Sequence, residues 1–198
     1  LGPRARPRLD AHRPIEVAWN GPPPKPAWTW WTPAPTELAT QWRTTPVVID
    51  WNRDGLNDLV MLDSEGFLSL FARSRSTTGS LVLNPPRRVF LEAKSGKPLQ
   101  LNPWRAGKSG RRKLTIVDWD GDGRLDVLAN SRNATFLRNT GELNGLVNLE
   151  DLGPVFERNI EGHDTSPTTV DWEGDGVPDL LIGAEDGNFY HGRQSRER

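Results

Sequence analysis

Residues 116–127 read Ile116-Val-Asp-Trp-Asp-Gly-Asp-Gly-Arg-Leu-Asp-Val127, and the same pattern recurs as Val48-Ile-Asp-Trp-Asn-Arg-Asp-Gly-Leu-Asn-Asp-Leu59 and Thr169-Val-Asp-Trp-Glu-Gly-Asp-Gly-Val-Pro-Asp-Leu180. Counted from the first Asp, oxygen-bearing side chains stand at positions 1, 3, 5 and 9 of each copy. They are Asp50, Asn52, Asp54 and Asp58; Asp118, Asp120, Asp122 and Asp126; and Asp171, Glu173, Asp175 and Asp179. Position 2 is always Trp (Trp51, Trp119, Trp172) and position 6 always Gly (Gly55, Gly123, Gly176). Alternate carboxylates on a curled loop are how proteins surround hard cations, since Ca²⁺ takes about six to eight oxygens. Glycine at position 6 permits the sharp bend. Without a cation, carboxylates this close repel one another.

The EF-hand shares the first six positions but requires Glu at position 12 and a helix on each side. Position 12 here is Met61, Ala129 or Ile182, so that reading fails. The flanks, such as Pro46-Val-Val-Ile and Leu59-Val-Met-Leu, or Leu114-Thr-Ile-Val and Val127-Leu-Ala, are short β-branched runs and predict strands. A strand, an Asp-x-Asp-x-Asp-Gly-x-x-Asp-Leu loop and a second strand resemble the FG-GAP/VCBS repeat over roughly residues 44–192. Such repeats build the β-propeller heads of integrin α-subunits and many secreted bacterial propellers, some polysaccharide lyases among them. The resemblance implies an all-β chain: a β-propeller segment of about three four-stranded blades, part of a larger ring. It also implies up to three Ca²⁺ ions and an extracellular or secreted location. The first copy departs most, with Asn52 for Asp and Arg53 beside it, and is expected to bind calcium most weakly.

Loop starts lie 68 and 53 residues apart, a spacing suited to one blade plus connections. Blade one is expected over 44–107, with strands near 45–50, 58–63, 66–72 and 87–92. Blade two is expected over 108–162, with strands near 112–118, 126–130, 134–138 and 154–159, and residues 139–145 as a polar solvent-facing loop. Blade three, over 163–192, has candidates at 167–171, 179–183 and 187–191 and lacks an outer strand. Residues 14–43 offer strands of a preceding or closing blade, in Ile15–Trp19 and Ala27–Trp31. Residues 1–13 and 193–198 read as Arg-rich tails. The start has neither Met nor a signal-peptide pattern, so an excerpt is expected. The rest of the ring would come from the parent chain or from an oligomer partner.

With 35% hydrophobic and 26% charged residues, 19 Gly and 17 Pro in 198 residues, the chain is poor in hydrophobes for a globular protein, yet nine Trp and six Phe argue against plain disorder. The absence of Cys removes disulfides, zinc–thiolate sites and cysteine nucleophiles. A net charge of −1 conceals a division, because the three loops hold eleven of the 26 acidic residues. No basic stripe interleaved with aromatics appears, so nucleic acid is not an expected partner. No apolar run is long enough for membrane insertion by a helix. The calcium is read as structural, fixing loops that have few apolar contacts, and the position-2 Trp is expected to pack between blades.

The resemblance also implies a ligand face, since ligands of such propellers commonly use the face opposite the calcium loops. In the segments entering the first strands, 40–45, 108–113 and 161–166, Arg43 and Arg111 fall at the same position relative to the loop's first Asp and His163 one place earlier, and the three are candidate ligand-binding residues. Arginine forks suit carboxylate or sulfate, so a polysaccharide with acidic sugars is the expected partner, with an extracellular protein as the alternative. Trp28, Trp30 and Trp31 are candidates for sugar stacking or for packing on a neighbouring blade. No catalytic constellation is visible. The three His (His12, His163, His191) and Tyr190 form no recognisable set, and Tyr190 and His191 read as structural. The expected function is therefore a binding or scaffold module. The alternatives are a non-catalytic part of a lyase-like carbohydrate-active enzyme and an integrin-like adhesion module.

Overall fold

The computed structural model describes residues 11–26, 31–103, 112–160 and 165–195. Among the described residues every regular element is a strand. Strands β1 (Val47–Ile49), β2 (Asp58–Leu62) and β3 (Leu68–Phe71) form an antiparallel meander. A small hairpin of β4 (Arg73–Arg75) and β5 (Leu81–Leu83) follows, then β6 (Phe90–Glu92). The second meander contains β7 (Leu114–Val117), β8 (Asp126–Asn130), β9 (Ala134–Leu143) and β10 (Leu146–Pro154). The third is β11 (Ser166–Val170), β12 (Asp179–Gly183) and β13 (Phe189–Gly192), three strands in the order of the chain. Each acidic loop joins the first two strands of its meander.

Registers repeat as faithfully as the loops do. Val60 opposes Leu70 in the first sheet, Leu128 opposes Phe136 in the second, and Leu181 opposes His191 in the third. Alternation along these strands gives each sheet two faces. One face of the first sheet (Val60, Leu62, Leu68, Leu70) shares a buried cluster with Val127, Ala129 and Leu137 of the second. The other face of the second (Leu128, Ala134, with Phe136) packs with Leu180 and Ile182 of the third. Burying a side chain of this size contributes about 1.5–3 kcal/mol, and these two stacks are the core. Polar ties between neighbours reinforce them. Thr115 Oγ1 lies 3.3 Å from Thr169 Oγ1, Lys113 Nζ donates to Ser166 Oγ, and Gln194 Nε2 donates to the Trp119 carbonyl at 2.9 Å.

Several expectations require correction. Residues 87–92 do not run as a strand beside β3. A single bridge links Leu70 to Arg87, and β6 then crosses to pair in parallel with β10, Phe90 opposite Val147. The fourth strand of the second sheet is 146–154 rather than 154–159, and 139–145 is no loop. Its residues extend β9 into a long hairpin that turns at Asn144 and Gly145, both left-handed (φ 54° and 74°) as a tight hairpin turn demands. Ile15–Trp19 supplies only isolated bridges, Glu16 to Glu37 and Val17 to Leu83. Its role is to cover the outer face of the first sheet, where Val17 and Leu83 are buried with Met61 and Phe71. Of the proposed second N-terminal strand, 27–30 lie outside the described residues and Trp31 is not in a strand. Finally, Trp51 stacks edge-on against Phe90 at 5.0 Å and Trp119 joins the core beside the third sheet, but Trp172 is 61% exposed. No described residue covers the face on which it stands.

Candidate functional site

The three loops curl because their own side chains take up the backbone N–H groups of the bend. Asp50 accepts from Asp54 and Gly55 at 3.0 and 2.9 Å, and Asp171 accepts from Asp175 and Gly176, both at 2.9 Å. Asp118 accepts from Gly123 at 3.0 Å. The fifth-position Asp accepts the N–H two residues on in each copy: Leu56, Arg124 and Val177. These are Asx turns. Glycine at position 6 adopts φ of 84°, 85° and 81°, a region costly for a residue with a Cβ.

Position 9 behaves differently. Asp58, Asp126 and Asp179 are buried to 0–1% exposure, and each makes the same pair of bonds. One oxygen accepts the N–H of the loop Trp, at 3.2, 2.9 and 3.2 Å. The other accepts an N–H at a matching position on the segment that carries the third strand: Arg73 at 2.7 Å, Asn139 at 2.7 Å and Gln194 at 2.8 Å. The ninth carboxylate thus ties the loop entrance to the third strand, whatever else it binds. Burial pushes the Asp126 carboxyl above the usual range, against the pull of the Asn139 and Trp119 N–H groups.

The second loop gathers Asp118, Asp120 and Asp126, one oxygen of each within 4.8 Å of the others. Asp118 Oδ1 is buried and has no hydrogen-bond partner in the protein. Two guanidinium groups reach the same loop: Arg138 sits 2.6 Å from Asp120 and 3.3 Å from Asp122, and Arg124 pairs with Asp122. Burial raises the Asp122 carboxyl, but the N–H of Arg124 and the two guanidinium groups outweigh it and hold the acid below its ordinary value. Four carboxylates against two arginines leave two negative charges, the charge of one divalent cation.

The other loops differ. In the first, Asn52 accepts from the Asp54 N–H and donates its amide to Asp54 Oδ2 at 2.9 Å, closing the loop on itself. In the third, Glu173 hydrogen-bonds Asp179. That bond raises the Glu173 carboxyl and, with the N–H of Gln194, lowers Asp179 to about 2. His191 joins them, its Nε2 3.7 Å from Asp179 Oδ2 and its ring 5.5 Å from that of Trp172. From sequence alone His191 reads as structural. Its strand register, which places it opposite Leu181 and beside the ninth-position Asp, is the signal that identifies it.

Of the ligand-face candidates, Arg43 is exposed, with a left-handed backbone (φ 57°) and its guanidinium 4.1 Å above the Trp42 ring, itself 41% exposed. Arg111 and His163 lie outside the described residues, as do Trp28 and Trp30. Tyr190 donates its hydroxyl to Asp186 and packs in the core between the second and third sheets.

Residues 118–182 match the FG-GAP-like repeat family, a span that opens on the first Asp of the second loop and includes the whole third loop. No curated protein and no solved structure matches the chain. FG-GAP-like repeats fit a propeller, and the three stacked all-β meanders are consistent with one.

Proposed function

We propose that the chain is an extracellular, calcium-stabilised propeller segment that serves as a binding or scaffold module for an acidic polysaccharide. The observation that carries the calcium reading is Asp118 Oδ1, an orphaned buried oxygen beside two further carboxylates. A buried acceptor without a partner costs about 1–3 kcal/mol, and a cation removes that cost. Asp118, Asp120 and Asp126 would hold the ion, which would supply charge neutralisation and rigidity. Two charges left uncompensated by Arg124 and Arg138 also favour one divalent ion. Calorimetric titration of Ca²⁺ into the chain should show binding in the range of extracellular modules, about 10⁻⁴–10⁻³ M. Asp118→Asn should weaken the tightest site at least tenfold. Titrations of the two proteins that coincide contradict this reading.

For the ligand, Trp42 and Arg43 support a sugar with a carboxylate or sulfate group. An exposed indole offers an apolar face to a pyranose ring, while a guanidinium stacked on it presents its fork to an anion. Arg43 also holds a backbone conformation that non-glycine residues seldom keep without a reason. Trp42→Ala and Arg43→Gln are each expected to weaken binding to a uronate polymer by about tenfold, on the scale of one good contact of about 1.4 kcal/mol. Equal retention of wild-type and both variants on an immobilised uronate column would remove this site.

A further inference from the structure

We propose that the third repeat carries a separate site for a borderline transition-metal dication such as Zn²⁺, formed by Glu173, Asp179 and His191. One donor atom from each of the three lies within 4.8 Å of the others, and His191 Nε2 is 3.7 Å from Asp179 Oδ2. Around a tetrahedral zinc with bonds of about 2.0–2.1 Å, neighbouring donors stand about 3.4 Å apart. Small side-chain adjustments close the difference, and two of the three residues are exposed and free to make them.

Comparison of the three repeats is what separates this site from the calcium loops. By strand pairing, the His191 position is Leu70 in the first repeat and Phe136 in the second, both packed against the next sheet. The Glu173 position is Asn52 and Asp120. Only the third repeat has an imidazole at the first position, and only there does the loop side chain carry an extra methylene. In the third repeat the position-3 carboxylate gathers with the ninth Asp and the imidazole, whereas in the second it gathers with the ninth Asp and the loop's first Asp, Asp118. Inside the curl, Asp171 spends both oxygens on the Asp175 and Gly176 N–H groups. The donor centre has therefore moved from the loop interior to its edge, where it meets the strand.

Donor chemistry then decides the ion. Calcium takes six to eight oxygens and has no preference for nitrogen, whereas imidazole favours Zn²⁺, Ni²⁺ and Cu²⁺. Two carboxylates and one neutral imidazole balance a dication in charge. Three protein donors leave a zinc ion one further position. The exposed Trp172 stands beside the cluster, its ring 5.5 Å from that of His191. Of the three calcium sites expected from sequence, the third is thereby reassigned, and the reassignment stands independently of the calcium reading for the second loop.

The test is calorimetric titration of ZnCl₂ into the full chain with millimolar CaCl₂ already present, repeated with CoCl₂ to read the visible absorption of a nitrogen- and oxygen-bound cobalt. Wild-type protein should take up one Zn²⁺ with micromolar affinity. His191→Phe, which installs the residue of the second repeat, should weaken uptake at least tenfold, since even outer-shell partners of metal ligands contribute about 10–100-fold. Asp118→Asn should leave zinc binding unchanged while it weakens calcium binding, so the two sites fail separately. Should His191→Phe not fold, judged by its circular dichroism, the exposed Glu173→Gln reports the same loss. Wild-type protein that binds no zinc in the presence of calcium overturns the site. So does zinc uptake unaltered in both variants, which would place the ion on His12 or His163.

Discussion

Asp126→Ala is expected to destabilise the chain by about 3–5 kcal/mol even in the absence of calcium. Asp126 is fully buried, and its two oxygens accept the Trp119 N–H at 2.9 Å and the Asn139 N–H at 2.7 Å. Alanine leaves both donors without a partner where water cannot reach, and each buried unsatisfied group costs about 1–3 kcal/mol. The second sheet lies between the other two, so loosening the loop from β9 weakens both core clusters. Asp126→Asn keeps one acceptor oxygen and should lose roughly half as much. Urea denaturation in EGTA measures the effect free of any metal contribution. A loss below about 1 kcal/mol would mean that the ninth carboxylate serves only as a metal ligand.

Gly66→Ala should cost about 3 kcal/mol or more, and its near-twin Gly187→Ala about 1 kcal/mol. The two glycines occupy the same turn in the first and third repeats, with φ of 84° and 83°. Gly66 N donates to the Asp63 carbonyl at 3.1 Å, and Gly187 N to that of Ala184 at 3.2 Å. A left-handed backbone penalises alanine equally at both, by about 1–2 kcal/mol. Surroundings differ. A Cβ on Gly66 would stand 1.9 Å from the Asn102 carbonyl oxygen, whereas one on Gly187 meets nothing within 4 Å. That carbonyl is fixed by Gln41 Nε2 at 3.2 Å, and the Asn102 N–H donates to the Gly66 carbonyl at 3.1 Å. Alanine at 66 therefore has to push residue 102 out of its seat. Thermal or urea unfolding of both variants isolates the clash from the backbone term. Equal losses would show that Asn102 yields freely.

How far the sequence could be read follows from how local each feature is. The acidic loops and the strands on either side of them were legible, because a loop curled by its own Asp side chains and flanked by β-branched runs is specified within about a dozen residues. Asn144-Gly145 is also a local hairpin signal, but the polar Asn139–Gly145 run around it hid the extension of β9, a ribbon whose tip is wet on both sides and so lacks apolar alternation. The parallel pairing of β6 with β10 joins residues more than fifty positions apart and leaves no periodic trace. Arg73-Ser-Arg75 carries no strand signal of its own; it pairs with Leu81–Leu83 because that hairpin positions Leu83 over Met61 and Phe71. In the candidate site, the oxygens were evident from spacing but their division of labour was not. Only the fold distinguishes Asp118, with an oxygen left over, from Asp126, whose oxygens tie strands. His191 needed strand register to reach Asp179.

A divalent ion held by the second loop would neutralise it and stabilise the fold through it. Differential scanning calorimetry of wild-type protein and Asp118→Asn, each in EGTA and in calcium at about a hundred times the measured dissociation constant, tests it most directly. One ion bound only by the folded chain contributes about 2.7 kcal/mol at that concentration, which in a chain of this size raises the midpoint by roughly 5–10 °C. That rise is expected for wild type, and Asp118→Asn, with a site at least about tenfold weaker, should keep at most about half of it at the same calcium concentration. A wild-type midpoint that is the same in EGTA and in calcium contradicts it.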